Sequence, residues 1–213
     1  GFNSYIWNEN GLVETIQILL LLFTLFFLLK IIQISKQKFL DQIFIYLLYL
    51  YFTCTLYFFL EEISWGRHFF KWESNSFFLK FNNQGETNIH NISNLFDQLP
   101  RGLLTLWCGL SFLIFKYMSK FSFKNEYLKF IFPKKELKYI SLLVIIFFLP
   151  DFIIYKFNFH PGHDIYTVKI NLAEIYDFFS FNFIRLSEYQ ELIFSFYLFN
   201  HALFFKKFLT HKT

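Results

Sequence analysis

Carboxylates and imidazoles at short spacing are the groups in this chain that could do chemistry, and three stretches carry them. The first is Glu61-Glu62-Ile63-Ser64-Trp65-Gly66-Arg67-His68. On a continuing helix Glu61, Trp65 and His68 fall along one face at i, i+4 and i+7, with Glu62 beside them. Two adjacent carboxylates at the edge of an apolar run are costly unless paired, protonated or bound to a cation. Pairing with Arg67 at a wet interface is the plainer alternative. In the second stretch, Asn82 to Asn94, Glu86 and His90 stand at i, i+4 and could present a carboxylate and an imidazole to one ion. The same residues could simply open a short interfacial helix, with Asn and Thr as its caps. The third, His160-Pro161-Gly162-His163-Asp164, sets two histidines and an acid around a turn. Imidazole with carboxylate suits zinc, iron or manganese, although Pro-Gly makes a turn without any metal.

These groups need elements that bring them together, and long apolar runs supply them. Of the 213 residues 55% are apolar and 25% aromatic, with 36 Phe against 7 Gly and 4 Pro, which no soluble core of this size could hide. Runs of about 18 to 25 residues match the hydrocarbon thickness of a bilayer as helices. The expected fold is therefore all-α, a polytopic transmembrane bundle in one domain over 1–213. Its spans are expected at about 12–34, 39–61, 101–118, 138–155 and 184–205, with interfacial helices in the long loops 62–100 and 156–183. Pro150 is expected to kink the fourth span, and the chain to be preceded by a signal or a further helix.

Lysine and arginine give the bundle a direction, because translocated flanks are depleted of them. Under a five-span weave the loops after spans one and three and the C-terminal tail hold thirteen Lys, for a formal charge of +10, while the other side carries −6; together these make the stated +4. The acidic side is expected outside, along with the N-terminus and both long loops. Trp7, Trp65, Trp72 and Trp107 then fall near outer span ends, where an indole prefers the headgroup level. Glu14 and Gln17 on span one, Asp151 on span four, and Glu188 and Glu191 on span five lie at that same level. Cys54 and Cys108 are expected to be buried apolar thiols, neighbours if spans two and three pack. No CxxC motif or disulfide framework is present.

Glu-Asn-Gly-Leu-Val-Glu at 9–14, EEISWGRHFF at 61–70 and NNQGETNIHN at 82–91 resemble, in that order, a family of uncharacterised bacterial multi-pass membrane proteins. That family carries an EEISWGQR-like segment followed by an NxQxExNxHN-like one. The resemblance covers the first half of the chain and implies a bacterial inner-membrane fold, or its organellar equivalent. Arg67-His68 stands where Gln-Arg is usual, so no role for His68 is carried over.

Glu62, Glu86 and His90 are the candidate catalytic acid–base groups. Glu14, Glu61, His68, His160, His163, Glu188 and Glu191 are the candidate ligands of a divalent metal. The first function expected is an enzyme acting on a lipid or lipid-linked substrate from the outer side. The second is a non-catalytic subunit docked on other membrane subunits. An ion or proton carrier ranks last, because the inner half offers little beyond Asp41 and His201, the latter expected to be packed rather than a ligand. No phosphate loop, nucleophile elbow, HExxH or basic–aromatic platform occurs, so the expected partners are membrane lipids and no nucleic acid.

Overall fold

The computed structural model describes residues 11–66, 70, 94–109, 111, 117, 135–146 and 186–211. The described residues are all-helical, without strands. Four helices have bounds within them: α1 (Leu12–Gln37), α2 (Gln42–Glu62), α3 (Asn94–Gly109) and α4 (Leu186–His211). A helical stretch over 138–146 follows a 3-10 turn at Lys135–Leu137. Among the described residues three helical segments are long and apolar enough to cross a membrane: Leu12–Gln37, Gln42–Glu62 and Tyr189–Thr210. The expected third and fourth spans are described only in part, and Pro150 lies outside the described residues.

Helix ends are set by local chemistry rather than by where apolarity stops. α1 runs a turn beyond the expected boundary because a Schellman motif ends it: Leu40 N–H donates to Ser35 O at 3.1 Å and Phe39 N–H to Lys36 O at 3.1 Å. Phe39 occupies the left-handed position usually given to glycine, at φ 51°, and is 94% exposed. Phe39 therefore belongs to the turn and not to the second span. Asp41, expected inside that span, instead caps α2, its carboxylate accepting from Ile43 N–H at 2.7 Å. α3 begins before the expected start and carries Pro100 inside it. The proline removes one backbone donor, an interruption that membrane helices accommodate when neighbours re-satisfy the freed group.

Side chains are not sorted by polarity as in a water-soluble bundle: uncharged polar groups join an apolar core, and large apolar ones stay exposed. Gln17, Thr24, Ser35, Thr55, Thr105, Ser111, Ser141, Gln190, Ser195 and His201 are buried, whereas Leu19, Leu22, Phe23, Phe26, Ile43, Leu50, Leu103 and Leu106 are exposed. In hydrocarbon an exposed Leu loses nothing, while a hydroxyl or amide gains by turning toward a partner helix. α1 packs on α2 and on α4. One half of the core joins Leu28, Ile31, Phe44, Leu48, Ala202, Phe205 and Leu209. A second cluster joins Cys108, Leu137, Val144, Ile193, Phe194 and Tyr197. Gly109 lets the 138–146 stretch approach α3, since a Cβ there would meet Ile145 Cγ1 at 3.2 Å. Beside it the Ser111 and Ser141 hydroxyls bond to one another.

Observed pairings fix the register. Phe27 packs on Phe199, and Lys38 Nζ donates to Leu209 O at 2.8 Å, so α1 and α4 run parallel with level ends. Tyr51 Oη donates to Leu198 O at 3.2 Å and Phe44 meets Phe205, so α2 runs antiparallel to both. Continuing each helix by two to four turns from these points puts Glu14, Gln17, Glu61, Glu62, Glu188, Gln190 and Glu191 at one end of the bundle. Lys36, Lys38, Lys206 and Lys207 collect at the opposite end.

Candidate functional site

A cleft of about 690 Å³ opens between α2, α3 and α4. Its walls are almost entirely carbon: Leu47, Leu50, Phe58, Leu103, Leu104, Phe194 and Leu198 are among them. At one end it meets Glu61, Glu62, Arg101 and Glu191; at the other, Leu48 and Phe205. Three of these, Glu61, Glu62 and Glu191, belong to the level deduced from the register, and Arg101 joins them from α3.

Glu61 and Glu62 end α2, and the chain then leaves the helix sharply. Ser64, Trp65 and Gly66 take φ of 44°, 53° and 92°, three left-handed residues in succession. Only the glycine adopts that region without steric cost; Ser64 and Trp65 are held there at roughly 1 kcal/mol or more each. α2 therefore ends at Glu62 and the chain through Gly66 is not a continuation of it; His68, the third member of the expected i, i+4, i+7 face, lies outside the described residues. The turn nevertheless brings Trp65 back, and its indole Nε1–H donates to Glu61 Oε1 at 2.7 Å. Glu61 is 5% exposed, so the indole serves a carboxylate taken out of water.

Arg101 projects from α3 to α4, where its guanidinium Nη2 meets Glu191 Oε1 at 2.6 Å. Both side chains are 19% exposed, and such a charge-assisted contact inside an apolar wall ties the two helices directionally. Glu14 is buried near the start of α1, in the turn where the helix dipole favours an acid. Glu188 lies in the opening turn of α4. Glu14, Glu61, Glu62, Glu188 and Glu191 are thus carried by helix ends at one level. His68, Glu86, His90, His160 and His163 lie outside the described residues. Among the described residues no three of His, Cys, Asp and Glu gather as a metal ion would require.

Deeper in the cleft stands an aromatic cluster whose composition the sequence did not suggest. His201 stacks on Tyr197 one turn before it, with centroids 6.2 Å apart and planes at 9°. Trp107 and Tyr51 meet its imidazole edgewise at 5.1 and 5.6 Å. His201 is packed, as expected, whereas Trp107 sits in the middle of the bundle rather than at a headgroup level. The reason is the early start of α3, which carries residue 107 inward. Cys108 is buried and Cys54 is exposed along the cleft, both as free thiols. Exposure of Cys54 departs from expectation, but its surroundings are apolar all the same. Arg101 and Gln190 are the other polar residues not singled out beforehand. A signal existed for Arg101: a lone base just after a proline, beside a long apolar run.

Gln17 is fully buried, and neither its amide nitrogen nor its oxygen has a hydrogen-bond partner; the Gln190 amide nitrogen is in the same state. No family model, curated protein or solved structure matches the chain.

Proposed function

We propose that this chain is an inner-membrane enzyme that takes a lipid or lipid-linked substrate from the outer side, with its tail in the cleft and its reacting group at the carboxylates. One observation carries the reading: an apolar cleft that ends on Glu61, Glu62, Arg101 and Glu191. Such a shape suits an amphiphile, with carbon walls for the chain and a few convergent polar groups for the head. Glu62, with Glu86 and His90, supplies general acid–base chemistry, and the remaining acids and histidines offer sites for a divalent metal. The lysines at the far end support the outward orientation of the acidic end. Kinship with the bacterial multi-pass family that the two motifs resemble belongs to the same reading.

The test is turnover of a total lipid extract by the purified protein, followed by mass spectrometry, with and without added zinc or manganese. Glu62→Gln should slow consumption of the substrate lipid at least about 100-fold, the range of an acid–base group. Wild-type protein that consumes no lipid under any metal condition would refute catalysis. One feature favours the alternative of a non-catalytic subunit: the span window of α2 is 17% buried, against 39% for α1 and 50% for α4. A docked subunit would cover that open face, and migration as a lone monomer on a native gel would count against it.

A further inference from the structure

We propose that the basic end of the bundle binds an anionic phospholipid along the boundary between α1 and α4, on a surface separate from the cleft and independent of the reading given to it. Lys30 is the first argument. It is exposed and lies eight residues before Lys38, roughly 12 Å along the axis. A four-carbon stem does not carry an ammonium that far, so the charge stays in the apolar belt. Its Nζ stands over the Phe26 ring, 5.8 Å from the centroid. From α4, Lys206 reaches the next ring, with Nζ 4.8 Å from the Phe27 centroid. The α1 and α4 register sets Lys206 level with Ile34, so its side chain points away from the basic end. Phe26 and Phe27 are themselves 6.0 Å apart, which brings both ammoniums to one stretch of the boundary. Among the described residues no carboxylate pairs with either lysine. A ring face compensates only part of a charge held in hydrocarbon.

Two amides supply the second argument. Gln33 and Gln37 follow Lys30 at i+3 and i+7 along one helix face, and both are exposed. The other uncharged polar residues from Gln17 to Ser35 are all buried, so Gln33 alone turns outward, and it does so beside the lysine. An amide facing hydrocarbon is costly unless it finds a partner. A phosphodiester brings negative charge and acceptor oxygens, which ammonium and amide N–H groups can both serve. Toward the middle of the span the same exposed face continues through Phe26, Phe23 and Leu19. The strip is thus apolar along its length and polar at its basic end, the order in which a phospholipid presents tail and head. Basic sites between membrane helices take anionic heads in this way. The apolar stretch assigns the phosphate to a lipid and not to a free ion.

The experiment is competitive retention measured by native mass spectrometry. Delipidated wild-type protein is offered equal amounts of phosphatidylglycerol and phosphatidylcholine with identical acyl chains. Expected is at least about tenfold preference for the glycerol lipid, a factor that corresponds to 1.4 kcal/mol. Lys30→Met and Lys206→Met should each lower that preference about fivefold, the effect of one lysine near an anionic surface. Lys207→Met removes the same charge roughly 100° round α4 and should change the preference less than about twofold. Leu104→Trp, which fills the cleft wall, should leave it unchanged, as should an excess of inorganic phosphate. Wild-type protein that retains both lipids equally overturns the proposal. So does an equal loss in Lys206→Met and Lys207→Met, which would mean diffuse charge and not a site. Loss in Leu104→Trp would move the lipid into the cleft, and displacement by inorganic phosphate would assign the lysines to the free ion; either overturns it.

Discussion

Removing the Arg101 guanidinium should loosen α3 from α4 and expose Cys108. Arg101 and Glu191 meet at 2.6 Å, each with 19% of its side chain exposed. Arg101→Met takes its guanidinium partner from the Glu191 carboxylate, and breaking one side of a buried pair costs about 3–5 kcal/mol. Partial exposure lowers that, and about 2–3 kcal/mol is expected here. Cys108 lies on the same helix and is fully buried against Tyr197 and Phe194, so it reacts only when α3 opens. In a Cys54→Ser background, a small methanethiosulfonate reagent should therefore label Cys108 about 30 to 150 times faster in Arg101→Met than in the parent. Arg101→Met combined with Glu191→Leu removes both charges and should restore most of the protection, because an apolar replacement of the whole pair is tolerated. Labelling of Arg101→Met at the parent rate would refute the reasoning. So would a double variant that opens as readily as the single one.

Gly109→Leu should force the 138–146 stretch away from α3, because the Cβ alone already meets Ile145 at 3.2 Å; a loss of about 1–3 kcal/mol is expected in denaturant unfolding, and an unchanged midpoint would contradict the packing. Gln17→Leu should stabilise by about 1–3 kcal/mol, since the buried amide has no partner on either atom. Thermal unfolding in nanodiscs measures it, and destabilisation would mean that the amide holds something it needs.

Three long helical segments could be read from apolar runs, because a bilayer demands length and apolarity together. Their ends could not. The left-handed Phe39 and the Asp41 cap both lie inside what hydropathy treats as continuous span, and a cap is one side chain in a run of twenty. The acidic level was legible for a related reason: charges are rare enough in such runs that each one marks a depth. The Arg101–Glu191 bond was not, since it depends on where α3 starts, and Pro100 argued for a later start than the helix takes.

Which face of each helix turns inward was hidden by the same apolarity that revealed the spans, yet a signal was present in the exceptions. On α1 the buried residues Glu14, Leu21, Leu28 and Ser35 recur every seven, interleaved with Gln17, Thr24 and Ile31 at the same period. That is a heptad seam, and every uncharged polar residue of the helix from Gln17 to Ser35, Gln33 excepted, lies on it. α3 repeats the pattern with Arg101, Thr105 and Cys108 turned inward while Leu99, Leu103 and Leu106 turn out. In a chain where apolar residues are at home in lipid, apolar positions say little about facing, and on α1 and α3 most of the sparse hydroxyls and amides mark the inward side, whereas Thr53 and Cys54 on α2 are exposed. Read on that basis, the seam of α1 leads directly to Glu14 and Gln17, and so to the end of the bundle where the cleft meets its carboxylates.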